Sequence, residues 1–165
     1  MTTEAALPVL VQDDARVRTL TLNRPDALNA MNARMIAELA EYFGARVHDD
    51  QTRVIVLRAT GKAFCVGLDL REMTALIEKL DTAARLRFQQ RLSSIFVSMR
   101  RCPQPIVCLV QGAASGGGFA LALAADIRLC TPDARMNAAF IKVGLSGCDV
   151  GMSYLLPCAV GTSVA

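Results

Sequence analysis

The sequence predicts an α/β fold built as a single domain over residues 1–165. Three observations carry this. Apolar runs of strand length alternate with longer segments whose apolar residues recur at helical spacing. The changeovers carry Gly, Pro or Asp. Two strand runs, residues 54–57 (Val-Ile-Val-Leu) and 106–110 (Ile-Val-Cys-Leu-Val), are apolar without alternation, the pattern of parallel strands covered on both faces. Strands that alternate with helices connect by crossovers of one hand.

Taken in order, residues 17–22 alternate and are β-prone, and Arg24-Pro25-Asp26 ends that strand. Residues 29–47 carry Met31, Met35, Ile36, Leu39, Tyr42, Phe43 and Val47 at helical spacing, with Asn29 or Asn32 as the cap. The strand at 54–57 ends at Thr60-Gly61-Lys62. A helix over 69–80 follows, and Asp81-Thr82 caps another reaching Arg100, with Leu86, Leu92, Ile95, Phe96 and Met99 as its buried stripe. Pro103 and Pro105 stop it before the strand at 106–110. A Gly-rich loop leads into a helix over 118–124, then a strand at 127–130 and a further strand at 136–140. Residues 160–165 read as a turn and a helix N-cap with no helix after it, as in a truncated portion of a longer protein; a frayed tail is the alternative.

Composition narrows the function classes. The chain is 53% hydrophobic and 20% charged, with a mean hydropathy of +0.35, which excludes a disordered chain. Aromatics are 5% and Trp is absent, so Ala, Val, Leu, Ile and Met must fill the core. The apolar excess implies surface covered by another chain or by missing chain. Net charge is +3, with 15 Arg and 3 Lys and no block of like charge, so no nucleic-acid footprint is present. The six cysteines form no Cys-x-x-Cys pair and the one histidine is His48, so zinc spacing is absent. The cysteines read as small buried hydrophobes of a reducing compartment. The N-terminus has neither a basic region nor a long apolar run, and residues 119–125 are too few to cross a bilayer. These readings give a cytoplasmic protein with no membrane partner.

The chemistry sits in two loops. Gly112-Ala113-Ala114-Ser115-Gly116-Gly117-Gly118-Phe119 follows a strand and opens a helix. It lacks the Lys of a P-loop and the Gly-x-Gly-x-x-Gly of a dinucleotide site. Ser115 stands three residues after Gly112, which is not the spacing of a nucleophile elbow. What remains is a run of open backbone amides at a helix N-terminus, suited to an oxyanion or polarised carbonyl, or else glycines that let helix and strand pack closely. Gly61-Lys62-Ala63-Phe64-Cys65-Val66-Gly67-Leu68-Asp69 repeats the same shape, with Asp69 as a cap. Two such loops can each give one amide to a thioester oxygen.

These segments carry a resemblance. Asn23-Arg24-Pro25-Asp26-Ala27-Leu28-Asn29-Ala30-Met31 resembles the N-terminal signature of the enoyl-CoA hydratase/isomerase (crotonase) superfamily. Lys62-Ala63-Phe64-Cys65-Val66-Gly67-Leu68-Asp69-Leu70 resembles its first oxyanion loop, and the segment from Pro105 through Gly118 to Ala125-Asp126-Ile127-Arg128 resembles its second. The resemblance implies a ββα spiral core without the family's C-terminal helical trimerisation segment. It implies an acyl-CoA substrate, with CoA as part of the substrate and no separate cofactor. It implies that the amides of Leu68 and Gly117 hold the thioester carbonyl and that Ala30, Val66, Asp69, Leu70 and Arg71 lie along the CoA site. For the full-length protein it implies a homotrimer or a dimer of trimers.

Departures from the family pattern matter as much. The two positions that carry glutamate in hydratases are Ala120 and Phe140 here, and neither residue transfers protons. Asp149-Val150-Gly151 resembles the stretch that carries a catalytic aspartate in dienoyl-CoA isomerases, although the loop is one residue longer. Asp149 is therefore either the acid/base or a cap of a turn. Cys148 is a nucleophile or buried filler, Asp69 a cap and organiser of the CoA loop, Glu72 a solvated helix residue, and His48 a surface residue at a helix end. Three readings follow: a family enzyme moving a proton beside the thioester, a non-catalytic acyl-CoA binder, or an inactive fragment.

Overall fold

The computed structural model describes residues 7–45 and 51–165. The N-terminal residues read against a leader and the His48 reading fall outside them. The chain forms β1 (Val9–Asp14), β2 (Val17–Leu22), a 3-10 turn Pro25–Ala27, α1 (Ala33–Ala45), β3 (Val54–Ala59), α2 (Leu70–Ile77) and α3 (Thr82–Arg101). It continues as β4 (Ile106–Val110), β5 (Ala113–Ser115), α4 (Gly117–Ala124), β6 (Ile127–Cys130), β7 (Arg135–Asn137), 3-10 turns Ala139–Val143 and Gly147–Val150, and α5 (Met152–Val160).

One sheet has the order β1-β2-β3-β4-β6, parallel from β2 onward, with β1 antiparallel at the edge. A second, smaller set of pairings runs beside it. Met31 bridges Leu68, Cys65 bridges Ala114, and β5 pairs β7, all parallel. The unit is thus a strand in the large sheet, a short extended segment in the small one, and a helix. It recurs from β2 through β3 and β4 to β6, which is the ββα spiral the resemblance implies.

The core lies between the large sheet and the helices. Leu20, Leu22, Ile55, Leu57, Ile106 and Cys108 meet Ile36, Leu39 and Phe43 of α1 and Ile95 and Met99 of α3, all buried. Helix α4 is buried along its whole length, so its apolar run is a core helix. Caps fall where Asp precedes an apolar helix: Asp69 accepts from the Glu72 N–H at 3.3 Å and Asp81 from the Ala84 N–H at 2.7 Å. Asp126 ties α3 to β4, accepting from Arg100 at 2.9 Å and from the Ile106 N–H at 2.9 Å. Arg128 closes the carboxyl end of α4 through the carbonyls of Ala122, Leu123 and Ala125.

Several expectations are corrected. Helix α1 starts at Ala33 and its cap is Asn32, which accepts from the Met35 N–H at 2.9 Å; Asn29 is a buried clamp instead. Over 54–57 and 106–110, strands β3 and β4 are buried on one face and only half-buried on the other. Leu86 is 58% exposed, outside the stripe that packs on the core. The strand expected at 136–140 is β7 over Arg135–Asn137, and a 3-10 turn takes the rest. Cys65 and Cys108 are buried and Cys102 half-buried, but Cys130, Cys148 and Cys158 are exposed, so Cys148 is not buried filler. Among the described residues, no helix is long and apolar enough to cross a membrane.

Candidate active site

The site is assembled by the turn after β2. Asn29 is fully buried and its backbone is left-handed, with φ +55°. Its side chain accepts from the Arg24 N–H at 2.8 Å and donates to the carbonyls of Thr60 at 2.7 Å and Ala63 at 2.9 Å. Three bonds from one buried amide fasten the 24–30 turn to the loop after β3. Gln111 adds a tie from the second loop, donating to the Ala59 carbonyl at 2.9 Å.

The first loop then runs between two partners. The Cys65 N–H donates to the Ala113 carbonyl at 3.1 Å, and the Cys65 carbonyl accepts from the Ser115 N–H at 2.9 Å. Two residues further on, the Gly67 carbonyl accepts from the Met31 N–H at 2.7 Å, and the Asp69 N–H donates to the Met31 carbonyl at 3.0 Å. Successive amides of an extended segment point to opposite sides. The Leu68 N–H is therefore turned away from Met31, and it meets no protein acceptor among the described residues.

Gly117 opens α4, so its N–H has no partner within the helix. The turn into it needs glycine at 116, where φ is +51° and ψ is −121°. The two loops are in contact: a Cβ on Gly67 would stand 3.4 Å from the Gly117 N, and one on Gly118 would stand 2.0 Å from the Cys65 carbonyl oxygen. Leu68 and Gly117 line one cavity of about 130 Å³. Its walls are chiefly apolar, with Met31, Val66, Leu92, Phe140 and Val150, and Gln89, Ser115 and Ser146 supply polar side chains.

The remaining expected site residues divide. Val66 and Leu70 line the same cavity, whereas Ala30 is buried at 7% exposure next to the lining residue Met31. Arg71 is exposed. Asp69 is bound up with Arg24, whose Nη1 and Nη2 both reach its Oδ2 at 2.9 Å. Burial pushes the Asp69 carboxyl up, but the Arg24 guanidinium and the backbone N–H groups of Glu72 and Arg71 outweigh it, and the net shift is downward. Asp69 is thus stabilised as a carboxylate paired with Arg24. Asp149 falls on the Gly147–Val150 turn next to the lining residue Val150, and its side chain lies outside the described residues. Ala120 is fully buried in α4 away from the cavity lining, while Phe140 forms part of the wall. Burial pushes the Cys65 thiol up to about 12 despite a bond from the Gly67 N–H, so it is inert.

The sequence reading missed Arg24, Asn29 and Gln89. Arg24 and Asn29 flank a turn and act across 45 and 34 residues of chain, which no periodicity reveals. Gln89 sits three residues before Leu92 on α3, and both face the cavity.

A family model described as Enoyl-CoA hydratase/isomerase matches residues 12–165. The chain is 38% identical to the Mycobacterium leprae protein named "Probable enoyl-CoA hydratase echA12", over 90% of this chain and 52% of that protein. It is 33% identical to the trans-2-decenoyl-[acyl-carrier-protein] isomerase of Streptococcus mutans, over 95% of this chain and 59% of the relative. A solved enoyl-CoA hydratase structure from Mycobacterium smegmatis superposes with a TM-score of 0.84 at 37% identity, covering 95% of this chain and 60% of that one. The chain spans between half and three-fifths of the length of these proteins.

Proposed function

Because the chain belongs to the enoyl-CoA hydratase/isomerase family, we propose that it binds an acyl-CoA thioester and relocates a proton beside the thioester carbonyl. The single observation behind this reading is the junction of two loops where the amides of Leu68 and Gly117, neither of which meets a protein acceptor among the described residues, border one apolar cavity.

In this reading the thioester oxygen accepts from both amides. A proton leaving the carbon chain sends its electron pair to that oxygen, and the amides stabilise the enolate so formed; one such donor is worth about 2.7–4 kcal/mol. Asp149 takes the proton and returns it to another carbon, so nothing is consumed and the double bond shifts. One carboxylate suffices for such a shift. Adding water also needs a group to position and activate the water, and Ala120 and Phe140 offer none. Val66 and Leu70 flank the CoA chain, Ala30 and Asp69 hold the loop beneath it, and exposed Arg71 meets its phosphates. CoA arrives with the substrate, and no further cofactor takes part. The assembly in this reading is a homotrimer or a dimer of trimers.

Asp149→Asn tests the role of the carboxylate with double-bond isomers of enoyl-CoA as substrates. Turnover is expected to vanish while CoA-ester affinity stays within about threefold, which is less than 1 kcal/mol. Unchanged turnover would remove Asp149 from the mechanism. A wild-type chain that binds the ester and turns over no isomer would favour the second reading, a non-catalytic acyl-CoA binder, for which the apolar residues at 120 and 140 speak.

A further inference from the structure

We infer that Arg24 is a positioning residue that sets the Leu68 amide on the thioester oxygen, acting through Asp69 and Ala30; this rests on the proposed role of that amide. Among the described residues, the backbone hydrogen bonds that flank Leu68 both go to Met31, which bonds to Gly67 on one side of it and to Asp69 on the other. The guanidinium of Arg24 closes this bridge at its open end. Its Nη1 donates to the Ala30 carbonyl at 2.5 Å, next to Met31, and its Nη1 and Nη2 reach the Asp69 carboxylate at 2.9 Å, next to Leu68.

The arrangement uses what arginine alone offers. A planar fork holds two acceptors at a fixed separation, whereas an ammonium on a flexible stem does not. Both partners are mostly shielded, with side-chain exposures of 22% for Arg24 and 16% for Asp69, so solvent screens the pair little. Asp69 is also the cap of α2 through the Glu72 N–H. Arg24 therefore ties three pieces together: the 3-10 turn it precedes, the bridge that carries Leu68, and the helix that follows. It has no place in the cavity wall and touches no substrate in the proposed mode. Its effect passes through the placement of one amide. Displacing a donor by about 1 Å can cost on the order of 100-fold in rate.

The test reads carbonyl polarisation directly. Butyryl-CoA carrying ¹³C at the thioester carbonyl is bound to the 165-residue chain, and the C=O stretch is measured by isotope-edited infrared spectroscopy. The variants are Arg24→Gln, Arg24→Lys and Asp69→Asn. Asparagine caps a helix as well as aspartate does, so Asp69→Asn keeps the fold and carries the test if Arg24→Gln does not fold. The wild-type chain is expected to lower the stretch of the bound ester. Arg24→Gln and Asp69→Asn are expected to lose most of that shift while binding weakens by no more than about tenfold, and Arg24→Lys is expected to retain part of it. A merely structural role would reduce the bound fraction and leave its frequency in place. A full shift in Arg24→Gln or Asp69→Asn would overturn the inference and leave the proposed site standing. No shift in the wild-type complex would overturn both.

Discussion

Gly118→Ala is expected to damage this fold far more than Gly117→Ala, although the two residues are neighbours in one helical turn. A Cβ at 118 would stand 2.0 Å from the Cys65 carbonyl oxygen, 2.7 Å from its carbonyl carbon and 2.8 Å from its Cβ. Ordinary contact begins near 3.5 Å, so the loops must part by roughly 1 Å or more. The atoms in the way are mainly backbone, and Cys65 makes two of the hydrogen bonds that join the loops, one through its N–H and one through its carbonyl. Loss of those bonds costs about 1 kcal/mol each. Overpacking adds about 1–3 kcal/mol. The expected total is about 3–5 kcal/mol, which lowers Tm by roughly 10 °C in a chain of this size. At 117 a Cβ would crowd the terminal methyl of Met31, at 2.4 Å, and would stand at an ordinary 3.9 Å from the Gly67 Cα. Met31 has three side-chain torsions with which to move away, so the cost is about 1 kcal/mol. Urea denaturation of both variants against wild type measures the difference. Equal midpoints would refute the claim that the two loops are locked together at Cys65 and Gly118.

Other expectations follow from the same contacts. Asn29→Ala removes three hydrogen bonds, one buried and two part-buried, and puts alanine at φ +55°, so a loss of about 3–4 kcal/mol is expected in chemical denaturation; a loss under about 1 kcal/mol would contradict its role as a clamp. The Asp69 carboxyl is lowered by folding, so its contribution is complete above the unfolded value near pH 4 and is lost as pH falls through the folded value. Asp69→Asn should flatten the acid side of the stability profile below about pH 4, and an unaltered slope would show that Arg24 does not stabilise the Asp69 carboxylate in the folded chain. A disulfide reagent should modify Cys130, Cys148 and Cys158 in the native chain and spare Cys65 and Cys108 until unfolding, because burial raises both of those thiols. Rapid native modification of Cys65 would mean that the loop junction opens.

Much of the large sheet was legible because its strands are short apolar runs bounded by Gly, Pro or Asp. Residues 17–22, 106–110 and 127–130 emerged with the ends that the structure gives β2, β4 and β6. Strand β1 was not legible: it lies at an edge and its second half, Gln-Asp-Asp, is exposed, so no apolar pattern marks it. Helix α5 was hidden by Gly151 before it and Pro157 inside it, both of which read as breakers. Met31 and Leu68 looked like helix and loop residues, and only their bridge to each other shows them as short extended segments. The Gly-rich loops marked the site because open backbone amides require small residues. The clamps that hold those loops did not, because Arg24 and Asn29 act on carbonyls and a carboxylate far along the chain, and a polar side chain carries no sign of its distant partner.

The most direct test of the account mixes the chain with a 2-enoyl-CoA and follows the conjugated thioester absorbance, with binding measured in the same sample. Saturable binding and a retained band are expected, since in the proposed mode two amides hold the thioester while Ala120 and Phe140 leave no group to activate water. Loss of the band through hydration would contradict the reading of those two positions, and absence of binding would contradict the assignment of the Leu68 and Gly117 amides.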